Sequence, residues 1–262
     1  MRRRLVVALA SAAALSLGAA AAYGQFGGNG QFRGGGRYGY PIQPNAPYDG
    51  KFTFVRLRYG PPTGYASQAI PWSHDYPTGE QHFMQILNEV SYLAPHIQET
   101  NILGLDDPDL FKYPVAYMAE PGFWRPTDAE ATSFRAYLQK GGFVIFDDFA
   151  ERRGGWYNFE SSFRQVIPDA QFVDLDATHP IFHAFFEIGS LDIVPQAYDE
   201  GKPVFRGVYE NNDRSKRLIA MVNFNTDISE YWEFSGTGLK PIEESNEAYK
   251  LGVNYVIYGM TH

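Results

Sequence analysis

The sequence predicts an α/β fold, with a mostly parallel sheet lying between two layers of helices. Two observations carry that expectation. Along residues 51–262, short apolar runs alternate with segments of helical period in the order strand, helix, strand, helix, strand. The run FVIF, Phe143 to Phe146, also lacks any polar alternation, as expected of a strand covered on both faces.

Each element has its own signal. KFTFVRLRYG alternates apolar and polar residues up to a Gly60-Pro61-Pro62 stop and reads as a strand. After a long loop, Phe83, Ile86, Leu87, Val90, Leu93 and Ala94 recur at helical spacing, with Thr78 and Gln81 placed as a capping box. YPVAYMAE is a second short strand. RPTDAEATSFRAYLQKGG carries the clearest helix: Thr127 and Glu130 form an S/T-x-x-E box, Ala131, Phe134 and Leu138 make the inner stripe, and Gly141 stops it. FVIF follows as a strand, NFESSFRQVIP as a short helix and AQFVDLD as another strand. KPVFRGVYE and RLIAMVNFN flank the polar turn NNDRSK and predict an added hairpin in the C-terminal half. ESNEAYKLGVNYVIYGM closes the chain as a helix with Ser245 as its candidate cap.

The body is expected to begin near Lys51. Residues 1–24 start with Arg2, Arg3 and Arg4, continue apolar from Leu5, and end in small residues, the pattern of a secretory signal peptide. A retained membrane anchor is the alternative, and a twin-arginine route is a weaker one. Residues 25–50 are Gly-rich and then Pro-rich without apolar periodicity, and read as a disordered tether. Their glycines are not a nucleotide loop, because no strand precedes them and no helix follows. The expected location is periplasmic or secreted, with no stable membrane span once the leader is removed.

Charge and composition exclude several classes. The formal net charge is −8, and without the leader 19 basic residues face 30 acidic ones. Phosphate backbones need a basic surface, so nucleic acid is not an expected partner. The absence of cysteine removes disulfides, thiolate metal sites and a thiol nucleophile. Aromatic residues make up 16% of the chain, which suits an aromatic core better than a carbohydrate-stacking surface.

Four segments resemble a known family: WSHDYPTGEQHF (72–83), YLQKGGFVIFDDF (137–149), THPIFHAFF (178–186) and NEAYKLGVNYVIYGMTH (246–262). Together they are similar to an exported bacterial family known only as domain of unknown function 4159. That family is similar in turn to the class I glutamine-amidotransferase-like superfamily and its trehalose-utilisation branch. The resemblance implies a flavodoxin-like three-layer αβα fold over most of 51–262. It brings no assigned activity with it, and Cys-dependent amidotransferase chemistry is excluded, because the turn where that superfamily places a cysteine nucleophile reads MAEPGFW here and the chain has no cysteine. Fold alone does not assign function.

In such sheets ligands bind beyond the carboxyl ends of the strands. The search therefore narrows to Arg58–Pro77, Glu120–Pro126 and Asp147–Trp156. Asp147 and Asp148 end a buried strand. Alternation should point them opposite ways, and Asp147 is the one expected in the cleft. One could instead cap the next turn and the other pair with Arg152 or Arg153. His74, Asp75 and His82 add metal-capable side chains, but their spacing matches no established metal signature, and no metal or cofactor is expected. Arg58 could accompany an anion at a helix start. Glu120 sits at the elbow and could act as a base or nucleophile. Trp72, Trp124 and Trp156 could form a platform for a sugar or peptide, or pack the loops. His179 precedes a proline and either faces the cleft or orders a turn. The leading expectation is a non-catalytic domain that binds a small polar ligand, a glycan or an envelope protein in this cleft. The alternative is a carboxylate- or metal-dependent hydrolase of carbohydrate or cell-envelope material.

Overall fold

The computed structural model describes residues 39–151, 155–195 and 201–262, so the leader and the Gly-rich stretch lie outside the described residues. The body is a sheet of seven strands between two helical layers. In chain order the strands are β2 (Phe54–Arg58), β4 (Thr100–Gly104), β5 (Val115–Ala119), β6 (Phe143–Phe149), β7 (Val173–Asp174), β8 (Val204–Tyr209) and β9 (Leu218–Phe224). Two further short strands, β1 (Tyr40–Pro41) and β3 (Tyr65–Ala66), pair with each other. The helices are α1 (Thr78–Val90), α2 (Asp128–Gln139), α3 (Gly155–Val166), α4 (Ile228–Glu233) and α5 (Ile242–Thr261).

Across the sheet the order is β4-β2-β5-β6-β9-β8-β7. The first five strands are parallel, and their chain order gives the 2-1-3-4-5 arrangement of flavodoxin-like folds. The expected hairpin is present: β8 runs antiparallel to β9, and β7 closes the far edge beside β8. Along β6 the side chains alternate between two cores. Phe143 and Ile145 join Phe83, Leu87, Trp232 and Leu251 on the α1, α4 and α5 side. Val144 and Phe146 join Phe134, Leu138, Phe159 and Phe163 on the α2 and α3 side. A strand buried on both faces has no reason to alternate polarity, which explains FVIF.

The predicted box of α2 forms: Thr127 accepts from the Glu130 N–H at 3.2 Å, and Glu130 Oε2 accepts from the Thr127 N–H at 2.8 Å. The other two cap expectations fail. Helix α1 begins at Thr78 itself behind Pro77, and α5 begins at Ile242 behind Pro241, with Ser245 buried inside it. Neither Pro77 nor Pro241 offers a side-chain cap. Strand β4 and helix α4 carry too few residues for periodicity to announce them. Strand β6 runs on past FVIF through both aspartates to Phe149. Within the expected tether, residues 40–48 lie along the body: β1 pairs with β3, Asn45 Oδ1 accepts from the Ile102 N–H at 2.9 Å, and Ala46 donates to Asn101 Oδ1 at 2.8 Å. Among the described residues no helix is long and apolar enough to cross a membrane.

Candidate functional site

The chain reverses direction across the sheet between β2 and β5, where one neighbour precedes and the other follows in spatial order. This is the topological switch point at which open α/β sheets bind ligands. Three neighbouring parallel strands deliver side chains to its carboxyl edge: the loop after β2 brings His74 and Asp75, the turn after β5 brings Glu120, and the end of β6 brings Asp148.

Strain marks the same place. Asp75 (φ 63°), Glu120 (φ 47°), Asp148 (φ 59°) and Asn225 (φ 57°) all occupy the left-handed region. Such residues cost about 1–3 kcal/mol each and persist only where surrounding structure holds them. At Asp148 the cause is visible, because the β6–β9 register slips between Phe146 and Phe149. The bulge breaks simple alternation and re-aims the second aspartate. At Glu120 the Tyr59 hydroxyl donates to the Glu120 carbonyl at 2.7 Å and reaches that of Ala119 at 3.1 Å, pinning the elbow.

The paired aspartates separate onto different partners. Asp147 Oδ2 accepts from the Tyr117 hydroxyl (2.9 Å) and from the N–H groups of Ile228 (3.1 Å) and Ser229 (3.3 Å), while Oδ1 accepts from Asn223 Nδ2 (2.9 Å). It anchors the start of α4 to the centre of the sheet. Asp148 Oδ2 lies 3.2 Å from His74 Nδ1, whose other carboxylate neighbour is Glu120 Oε1 at 3.0 Å. The expectation that Asp147 enters the cleft is therefore corrected: Asp148 is the one that reaches the switch point. Arg152 and Arg153 lie outside the described residues.

Around this point the carboxylates are concentrated. One oxygen each of Asp75, Asp148 and Asp227 fall within 4.8 Å of one another, and so do those of Asp75, Glu230 and Glu233. Asp75, Glu120, Asp147, Asp148 and Asp227 are each no more than 3% exposed. Burial is the main force raising the pKa values of Asp75, Asp148 and Asp227; neighbouring carboxylates add to it, and Ser229 works against it at Asp75. Burial likewise raises Asp147 to about 7 against the hydrogen bonds from Asn223, Tyr117 and Ser229, and Glu233 to about 8 with help from Asp75. For His74 burial favours the neutral ring, but Glu120 and Asp75 outweigh it and the pKa rises.

A buried ion pair holds the loop that carries His74. Arg56, inside β2, pairs through Nε with Glu80 of α1 and donates through Nη1 to the Trp72 carbonyl at 2.9 Å. Its guanidinium lies over the Tyr117 ring, 5.1 Å from the centroid. Asp227 caps α4 by accepting from the Glu230 N–H at 2.9 Å, and Ser229 donates to Asp75.

The other sequence candidates fall elsewhere. His82 Nδ1 lies 2.8 Å from the Trp232 carbonyl, and Arg58 donates to the Gly60 carbonyl at 3.2 Å. Trp72 and Trp124 are core residues; Trp124 stacks on Phe146 with centroids 6.0 Å apart. Trp156 is covered by the Arg206 guanidinium, 4.0 Å from its centroid. His179 accepts from the Ile181 N–H at 3.2 Å and contacts the Tyr209 hydroxyl at 3.0 Å, ordering a turn near the far edge. Sequence reading missed Arg56, Glu80, Tyr117, Asp227, Ser229, Glu230 and Glu233. Only Asp227, three residues before Glu230, carried a usable signal: a helix-cap spacing.

Fold and site together define a flavodoxin-like α/β domain with a carboxylate–imidazole cluster at its switch point. The model of the family described as Domain of unknown function (DUF4159) matches residues 53–260, and the chain belongs to that family. No curated protein matches the chain.

Proposed function

We propose that this domain binds a small positively charged ligand at the carboxyl edge of β2, β5 and β6, without catalysing a reaction on it. One observation carries the reading: Glu120 and Asp148 flank the His74 imidazole, and Asp75 and Asp227 each bring an oxygen within 4.8 Å of Asp148, in a place almost closed to water. Two ionised carboxylates 4–5 Å apart repel by about 3–4 kcal/mol at an effective dielectric constant near 20. Among the described residues, Arg56 pairs with Glu80 and Lys240 with Glu230. A bound cation would relieve the repulsion that remains.

The closure of the site counts against the hydrolase alternative. With these carboxylates at most 3% exposed, a sugar or peptide bond has no approach to them, whereas a small ion can enter beside His74, whose side chain is 16% exposed. The burial of Trp72 and Trp124 likewise removes two of the expected stacking platforms for a glycan. The 2-1-3-4-5 strand order and the left-handed elbow at Glu120 support placing the scaffold beside the class I glutamine-amidotransferase-like proteins, here without their thiol. The leader pattern in residues 1–24 supports export to the periplasm or beyond.

The test is thermal unfolding of the full chain with Mg²⁺, Ca²⁺, Mn²⁺, Zn²⁺ or spermidine at matched ionic strength. At 100 times its Kd a ligand adds about 2.7 kcal/mol, a rise of several degrees for a domain of this size. A saturable rise with one of these cations is expected. Identical curves with all five would overturn the reading.

A further inference from the structure

The imidazole at the switch point has one nitrogen committed and one aimed inward. His74 Nε2 lies 2.8 Å from the Gln68 carbonyl oxygen, which can only accept, so Nε2 carries the hydrogen. In the neutral ring Nδ1 is then a bare lone pair, and it points at Glu120 Oε1 (3.0 Å) and Asp148 Oδ2 (3.2 Å). A lone pair facing two carboxylate oxygens is unfavourable unless a positive charge stands among them. A second proton on the ring, a proton on either carboxyl group or an ion bound by all three atoms supplies it.

The geometry suits an ion. An octahedral centre with bonds of about 2.1 Å places neighbouring ligand atoms about 3.0 Å apart. The two contacts from Nδ1 are 3.0 and 3.2 Å, and the three ligand atoms all lie within 4.8 Å of one another. A ring nitrogen tied through its partner N–H to a backbone carbonyl is also the arrangement that orients metal-ligating histidines. The backbone supports both carboxylate ligands: Tyr59 pins the Glu120 carbonyl at 2.7 Å, and the β6 bulge fixes Asp148. Asp75 and Asp227 stand behind Asp148, their oxygens within 4.8 Å of it.

We infer that His74 Nδ1, Glu120 and Asp148 form a site for a divalent first-row transition-metal ion such as Mn²⁺, Fe²⁺ or Zn²⁺. This deepens, and rests on, the cation-binding reading above. The imidazole selects against Ca²⁺ and Mg²⁺, which prefer all-oxygen shells, and the two carboxylates suit a divalent charge. Three protein ligands on one side leave the remaining coordination positions to water or to a small anionic group.

The experiment uses the full chain, stripped with chelator and titrated with MnCl₂ and ZnCl₂ by calorimetry. One equivalent is expected to bind with micromolar or tighter affinity. Asp148→Asn, which removes one ligand oxygen and is expected to keep the fold, should weaken binding at least 100-fold, and Arg58→Ala should leave it unchanged. Nitrogen-15 spectra of the unmutated protein at pH 8 give an independent readout. A neutral ring protonated at Nε2, with Nδ1 shifting on addition of Zn²⁺, is the expected result. A ring protonated at both nitrogens at pH 8 that retains no metal would overturn the inference. Stabilisation by spermidine but not by Mn²⁺ or Zn²⁺ would also overturn it, while leaving the cation-binding reading intact. No response to any cation would remove both.

Discussion

Asp147 and Asp148 are chain neighbours with opposite duties. Asp147 is surrounded by four donors, from Tyr117, Asn223, Ile228 and Ser229, so an amide in its place must turn its NH₂ toward at least one of them. Asp147→Asn is expected to destabilise the protein by about 1–3 kcal/mol at pH 8, measured by urea unfolding, because it leaves buried donors unpaired. Asp148 sits instead among Glu120, Asp75 and Asp227. Asp148→Asn removes one source of repulsion, and the cation-free variant is expected to be at least as stable as the parent. If the two variants lost stability equally, the division of labour between them would be wrong. The left-handed backbone at Asp148 makes the difference, since it turns the second carboxylate away from the first one's partners.

Among the elements, β2 and α1 are joined by a residue that would look misplaced in a buried strand. Arg56 is as buried as any leucine beside it, and Glu80 matches it from the first turn of α1. Burial disfavours charge on both: at Glu80 it outweighs the pull of Arg56 and the pKa rises, whereas at Arg56 the neighbouring Glu80 outweighs burial and the pKa rises as well. Breaking such a pair strands a buried charge at a cost of about 3–5 kcal/mol, while replacing both partners with apolar residues is often neutral. Arg56→Met is therefore expected to destabilise strongly and the Arg56→Met/Glu80→Leu double variant to recover most of the loss. The double variant should still weaken cation binding, because the Trp72 carbonyl loses its donor and the loop that bears His74 loses its anchor. Chemical denaturation of the three proteins, followed by the cation titration, separates stability from positioning.

Over the whole molecule, the cluster sets an unusual response to pH. Asp147 stands at about 7 and Glu233 at about 8, with Asp75, Asp148 and Asp227 also raised. A carboxyl whose folded pKa exceeds its unfolded one takes up a proton on folding, and each tenfold weakening of the acid is worth about 1.4 kcal/mol. Its contribution is complete below the unfolded value, near 4, and is lost as pH rises through the folded value. The cation-free protein is therefore expected to lose stability steadily from about pH 4.5 to pH 8, and urea midpoints across that range check it. A bound cation should flatten or reverse the slope, because it favours the ionised carboxylates. A cation-free protein whose stability climbs toward pH 8 would contradict the burial described for this cluster.

The sequence by itself determined the layers: the unalternating FVIF, the Thr127–Glu130 box and the hairpin around NNDRSK are local signals, and local propensity and periodicity decide such features. It also directed attention to the carboxyl edge of the sheet and to His74, Asp75, Glu120 and Asp148, because strand ends can be read along the chain. What only the tertiary structure decided was which of these meet. The bulge between Phe146 and Phe149 chose Asp148 over Asp147, and α4, too short to show a period, brought Asp227 and Ser229 from some 80 residues away. Contacts between distant segments depend on backbone direction at single residues, and a left-handed aspartate carries no mark in the sequence.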